Sequence, residues 1–228
     1  MAEIKQVSTA NSNRRNFLWI LFQWILQVFF AFWLRYQSRG KEHLPVEGGG
    51  LMISNHQSFL DPLLIGLPLT RPVSFMARDS LFRIPILGCF LRREFVIPIS
   101  RKAASSQSFR AAIQNIENGN FVGIFPEGTR SDDGTVQRFK PGFLALLKRT
   151  ECAIYPIGVA GAFRALPRGA YFLRLKPVRV VFGKPISAEL IKQYCDRGAE
   201  KELLELTRQC VIECQQQAEE WINPVRTN

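Results

Sequence analysis

Apolar residues come in runs along this chain, and the spacing of those runs predicts most of its elements. The longest, Phe17 to Leu34, is eighteen residues without a charge, preceded by Arg14 and Arg15 and followed by Arg35, Arg39 and Lys41. As a helix it would extend about 27 Å, close to the minimum for crossing a bilayer. Gln23 and Gln27 lie one turn apart and Asn16 lies two turns before Gln23, so a narrow polar stripe is expected down an otherwise apolar helix. That stripe favours a helix lying in or dipping into one leaflet over a true span, with a buried core helix as a third reading. No small-residue cleavage site follows, so the segment is expected to stay on the mature protein. The flanking charges are too even to set its orientation.

Shorter apolar runs follow at Leu51 to Ser54, Val73 to Ala77, Phe95 to Ile99, Phe121 to Phe125, Ile154 to Val159 and Val178 to Phe182. Each has the length of a buried strand. Gly48-Gly49-Gly50 marks a turn into the first of them, and Asp61-Pro62 marks a helix start soon after it. Phe109, Ala112, Ile113 and Ile116 share one face of a helix that stops at Gly119, and Leu203, Leu206, Cys210, Cys214 and Trp221 share a face of another. Strands alternating with helices imply an α/β fold, a single domain with a mostly buried central sheet flanked by helices and with its site on loops at strand ends. The expected division is a membrane-associating N-terminal segment over residues 1–45 and a catalytic domain over 46–228.

Charge narrows the partners. Lys and Arg number 30 against 19 Asp and Glu, a net charge of +11, which favours something anionic: nucleic acid, an acidic membrane face or a phosphorylated substrate. The aromatic residues sit in the N-terminal helix and in core-like runs rather than between the basic clusters Arg92-Arg93 and Arg164, Arg168, Arg174, Arg179, which argues against base-stacking platforms and a nucleic-acid partner. Five cysteines form an odd set without a C-x-x-C pair or a nearby histidine, so they read as reduced and structural, with no metal site or cofactor implied.

The chemistry gathers after the first predicted strand, in Asn55-His56-Gln57-Ser58-Phe59-Leu60-Asp61. Five residues turn a helix through about 140°, so His56 and Asp61 would not face each other on an unbroken helix, but a strand-end loop running into a helix at Asp61 could bring them together. Asp61 would then hold one imidazole nitrogen while the other accepts a proton from a substrate hydroxyl. Taken alone, the pair reads first as a turn-capping His and a helix-capping Asp. Its company changes that. His43, the other histidine, sits in what reads as an exposed loop. A second strand end, Phe125-Pro126-Glu127-Gly128-Thr129-Arg130-Ser131, offers a carboxylate, a flexible glycine and an arginine fork able to grip a phosphate.

At these residues the chain resembles the glycerolipid acyltransferase family that includes the lysophosphatidic acid acyltransferases. Asn55 to Asp61 is similar to the family's catalytic block and Phe125 to Ser131 to its acceptor-binding block. Leu81, Gly88 and Arg101 match the spacing between them, and Arg78 stands where the family has Lys, keeping the charge with a different hydrogen-bonding fork. Tyr155-Pro156-Ile157 is similar to a fourth motif, and Arg179 to Pro185 is also familiar.

The resemblance implies that His56 deprotonates the acceptor hydroxyl, which attacks a thioester directly, and that Asp61 orients His56. It implies substrate binding by Asn55, Ser58, Arg78, Arg101, Glu127, Gly128, Thr129 and Arg130, with Arg101 and Arg130 on the acceptor phosphate. The implied donor is acyl-CoA or acyl carrier protein, the acceptor a lysophospholipid, the product phosphatidic acid, and the location a membrane with the catalytic domain on its cytoplasmic side. Glycerol 3-phosphate or another lysophospholipid is the alternative acceptor. The other classes weighed are a thioester or phospholipid hydrolase, for which the arginine-bearing loop has no purpose, and an inactive basic membrane scaffold, against which His56, Asp61, Glu127 and Arg130 all stand.

Overall fold

The computed structural model describes residues 17–78, 82–83, 96–99 and 106–224. Its strands are β1 (Gln37–Arg39), β2 (Gly50–Ser54), β3 (Val73–Arg78), β4 (Ile97–Ile99), β5 (Phe121–Ile124), β6 (Ile154–Ala160) and β7 (Arg179–Phe182). Its helices are α1 (Phe17–Trp33), α2 (Asp61–Gly66), α3 (Ser106–Glu117), α4 (Leu144–Thr150), α5 (Ala162–Ala165), α6 (Ala188–Asp196) and α7 (Glu200–Ile222). The strands make one sheet in the order β1-β7-β6-β2-β5-β3-β4. Strands β6, β2, β5, β3 and β4 are mutually parallel, while β7 runs antiparallel to β6 and β1 parallel to β7.

Both faces of the sheet are covered, which is why its strands read as continuous apolar runs rather than alternating ones. All five residues of β2 are buried. Met52 belongs to a core shared with Phe30 of α1, Leu34 just after it, and Leu64 and Ile65 of α2, whereas Leu51 and Ile53 belong to the core of the opposite face, with Ala112, Ile116, Leu147 and Leu203. The six apolar runs all become strands. Among the described strands, β1 is the one without such a run. Its Gln-Ser-Arg carries no apolar pattern, and it is held by its surroundings instead: it pairs with β7, Arg39 lies 5.0 Å from the Trp221 ring centroid, and the preceding Tyr36 donates its hydroxyl to Leu64 O at 2.7 Å.

Three expectations need correction. The buried stripe of α7 is Leu203, Thr207, Val211, Cys214 and Ala218, rotated from the one read by hydrophobicity, with Leu206, Cys210 and Trp221 only partly buried. Small residues face the sheet there because α7 packs closely on β6, and Thr207 is tolerated because its hydroxyl donates to Leu203 O at 2.7 Å. His43 is not on a free loop; its Nδ1 lies 2.9 Å from Phe182 O, half-buried in a short 3-10 turn.

Of the polar stripe of α1, Gln27 faces the protein rather than water. Gln27 donates its amide to Leu67 O at 2.6 Å, while Trp24, Ile25, Val28, Phe29 and Phe32 are exposed. Asn16 and the Gln23 side chain lie outside the description. Among the described residues, no helix is long and apolar enough to cross a membrane.

Gly158 marks a close approach of α7 to the sheet, since a Cβ there would run into the backbone of Cys214 and Gln215. Backbone cannot swing aside as a side chain can. Gly158→Ala should therefore cost about 1–3 kcal/mol or more, as overpacked sites do. Urea unfolding of the detergent-solubilised chain measures it, and a midpoint equal to wild type would mean that α7 can lift off β6 freely.

Candidate active site

Five parallel strands bring their C-terminal ends to one rim of the sheet, where α/β folds place ligands. Ser54 at the end of β2 leads into the His56 loop, and Ile124 at the end of β5 leads into the Glu127 loop. Ala160 ends β6, and Arg78 is the last residue of β3. Arg101, Leu81 and Gly88 lie outside the described residues.

The loop after β2 curls back on itself around one oxygen. Asp61, fully buried at the first turn of α2, takes three N–H groups on Oδ2: His56 Nδ1 at 2.8 Å, the Gln57 amide at 2.6 Å and the Ser58 amide at 2.7 Å. With Nδ1–H donating to the carboxylate, the proton-accepting lone pair of the neutral imidazole is on Nε2. The imidazole is 19% exposed and stacks on Phe125, centroids 4.2 Å apart at 18°. Phe125 in turn stacks on Phe75 at 5.5 Å. The ring is thus fixed in its plane by a hydrogen bond at one edge and an aromatic wall on one face.

The loop after β5 grips the backbone of His56 from both sides. The His56 N–H donates to Glu127 Oε1 at 3.1 Å, and His56 O accepts from the Ser131 N–H at 2.7 Å. Glu127 is buried, and its Oε2 has no hydrogen-bond partner among the described residues. Loss of solvation pushes its carboxyl up to about 8, against the pull of the His56 and Gln137 backbone N–H groups. Gly128 adopts φ +72°, a left-handed backbone that calls for glycine, and the Lys140 ammonium lies over it, 2.6 Å from where a Cβ would sit. Arg130 places its guanidinium 3.7 Å from the Phe59 ring centroid, joining the two loops at the rim. Thr129 is exposed beside it.

Two residues expected to bind substrate are turned inward instead. Asn55 is fully buried; its amide donates to Val159 O at 2.9 Å and accepts from Val159 N at 2.8 Å. It thereby continues the β2–β6 ladder with a side chain standing in for a peptide unit. Ser58, also fully buried, donates its hydroxyl to Leu166 O at 2.9 Å. Their polar atoms hold the His56 loop to β6 and to the chain after α5, which is a positioning role.

Gln57 and Phe125 stand inside the two sequence blocks without an expected role of their own, and Lys140 lies outside both. Gln57 donates to Gly134 O at 2.7 Å and accepts from Phe163 N at 3.2 Å, tying together the segments that follow β5 and β6. Its place inside the His56 block was the available signal. Phe125 directly precedes Pro126-Glu127, and Lys140 precedes the Pro141-Gly142 turn.

The family model described as acyltransferase matches residues 35–160. The chain is 33% identical over 166 residues to the chloroplastic 1-acyl-sn-glycerol-3-phosphate acyltransferase of Arabidopsis thaliana, covering 71% of this chain and 46% of that protein. It is 32% identical over 120 residues to the 1-acyl-sn-glycerol-3-phosphate acyltransferase of Borreliella burgdorferi, covering 52% of this chain and 48% of that one. The chain spans about half the length of these curated relatives. In fold it is similar to the crystal structure of the 1-acyl-sn-glycerophosphate acyltransferase of Thermotoga maritima, with a TM-score of 0.72 at 23% identity over 92% of this chain and 82% of that one.

Burial of Glu127 has a pH signature. Its carboxyl titrates at about 8 in the folded chain against an ordinary 4.5, so between those values the folded state keeps a proton that the unfolded state has lost. Stability should then be fully present below about pH 4.5 and fall as pH rises to about 8, by at most about 1.4 kcal/mol per pH unit. Glu127→Gln should remove that slope, and denaturant unfolding at several pH values would show it; equal slopes in variant and wild type would assign the titration elsewhere.

Proposed function

The chain belongs to the acyltransferase family, and from that premise we propose that it moves a fatty acyl group from acyl-CoA or acyl carrier protein to the free hydroxyl of 1-acyl-glycerol 3-phosphate, giving phosphatidic acid. The observation that carries this reading is the His56–Asp61 pair, with Nδ1 held at 2.8 Å and Nε2 left to receive a proton. An alcohol attacks poorly until a base takes its proton, whereas a thioester already has a good leaving group. His56 Nε2 removes the hydroxyl proton as the oxygen attacks the thioester carbonyl, and the tetrahedral adduct collapses by breaking the C–S bond. The imidazolium returns its proton to the departing thiolate, giving a free thiol and the ester. Asp61 keeps the ring in the correct tautomer throughout. No protein nucleophile is required.

The acceptor phosphate is assigned to Arg130 and Arg101, and Arg78, the last residue of β3, is assigned to substrate binding. Glu127, Gly128 and Thr129 shape the glycerol pocket, Glu127 by holding the backbone that carries His56. The acyl-glycerol-phosphate acceptor is supported by the activity named for the Arabidopsis and Borreliella relatives. Residues 1–45 are assigned as the membrane-associating segment and 46–228 as the catalytic domain, on the cytoplasmic side. The exposed Trp24, Ile25, Val28, Phe29 and Phe32 of α1 support that assignment, because with Gln27 bonded to the protein these apolar side chains are left for lipid.

His56→Ala should abolish transfer, and Asp61→Asn should lower it by roughly 100-fold or more, in an assay of purified protein with both donor types read by mass spectrometry of the lipid product. Near-normal turnover by His56→Ala would overturn the general-base assignment.

Arg130→Ala should lower kcat/KM for the phosphorylated acceptor by roughly 10- to 150-fold, the cost of one hydrogen bond to a charged group, while leaving the poor use of monoacylglycerol unchanged. Equal proportional losses on both acceptors would refute phosphate recognition by this residue.

The full-length chain should also stay with membranes in about 1 M salt, where screening removes electrostatic attachment, and leave them in detergent; release by salt would refute hydrophobic attachment through α1.

A further inference from the structure

Between α5 and β7 the chain runs irregularly from Leu166 to Val178, thirteen residues without regular structure. Connections of that length inside a compact domain usually have work of their own. Its two ends are fixed. Leu166 O accepts the Ser58 hydroxyl, the Arg174 N–H donates to Ala165 O at 2.8 Å, and the Val178 N–H donates to Leu34 O at 2.9 Å. Leu173 packs against the core, and its carbonyl accepts Trp33 Nε1 at 3.4 Å. The residues on either side of Leu173 point away: Tyr171 is 94% exposed, Phe172 85% and Leu175 65%. A fold that has tethered this segment at both ends and in the middle still leaves three large apolar side chains in the open.

Charge and continuity identify what covers them. Arg174 and Lys176 alternate with the apolar residues and are exposed, and neither has an ion-pair partner among the described residues, whereas the nearby Arg168 pairs with Asp132 at 3.1 Å. Aromatic and aliphatic tips beside unpaired basic residues suit the boundary between acyl chains and anionic headgroups. The tether to Trp33 joins this patch to the last turn of α1, where Phe32 is exposed as well. We infer that the Leu166–Val178 connection is a second membrane contact, which inserts Tyr171, Phe172 and Leu175 into an anionic bilayer and sets Arg174 and Lys176 against lipid phosphates. The inference builds on α1 as a membrane-associating helix and adds a second point of support at the catalytic rim.

The test is flotation of the full-length chain on vesicles of phosphatidylcholine alone and with about a third phosphatidylglycerol, titrating lipid. Replacing Tyr171, Phe172 and Leu175 together by Ser should weaken binding to both vesicle types by about 10-fold or more. Replacing Arg174 and Lys176 by Glu should remove most of the gain from anionic lipid, about 5-fold per residue, with little effect on neutral vesicles. Melting midpoints should stay unchanged, since the altered side chains are exposed. Hydrogen exchange of the wild type supplies a reading independent of variants: amides of residues 168–176 should slow on vesicles. Wild-type-like flotation of both variants, or unchanged exchange, would overturn the inference, and a lowered oligomeric mass in the apolar variant would assign the patch to a second copy of the chain. Failure of the wild type to float on either composition would instead refute the role given to α1.

Discussion

One carboxylate oxygen organises the catalytic rim. Asp61 Oδ2 receives an imidazole N–H and two consecutive backbone N–H groups, and those three donors define the path of the chain from the end of β2 to the start of α2. The loop could not be redirected without stripping a buried carboxylate of its partners, which costs several kcal/mol when uncompensated. The remaining contacts reinforce that path from outside. Asn55 locks its entry to β6, Glu127 and Ser131 hold the His56 backbone, and Ser58 ties it to Leu166. The geometry of the imidazole is thus a property of the loop rather than of one side chain.

Much of this was legible because burial leaves a mark on composition. Strands covered on both faces must be apolar throughout, so β2 to β7 announced themselves, and the His and Asp of the site fell at a strand end and a helix start as their spacing required. What stayed hidden was whatever depends on a neighbour. β1 has no apolar signature, since backbone pairing to β7 and the contact of Arg39 with Trp221 hold it. Gln27 gave the right residue and the wrong environment: periodicity finds a polar edge on a helix but not what the edge meets, here Leu67 O. Asn55 and Ser58 sit in the motif as substrate ligands would, and only the register beside β6 reveals that their polar atoms meet backbone.

Glu127 illustrates a tension typical of sites at strand ends. Its carboxyl is buried, with one oxygen bonded to the His56 backbone and the other without a partner among the described residues. Burial in this state favours the neutral acid, and the fold accommodates that group to keep His56 in place. Gly128 and Lys140 show the same economy of space, a backbone bend filled by an incoming ammonium rather than by a Cβ.

The reversal of β7 against the five parallel strands has a consequence for the molecule as a whole. Because β1 follows β7 in direction, the chain leaves α1 at the rim that carries His56; had β1 run with the other strands, α1 would have joined the sheet at the opposite end. On the proposed reading, the mouth of the enzyme faces the plane in which a lipid acceptor diffuses. The search for that substrate is then two-dimensional, and encounter depends on density per unit area of bilayer rather than on concentration in the surrounding water.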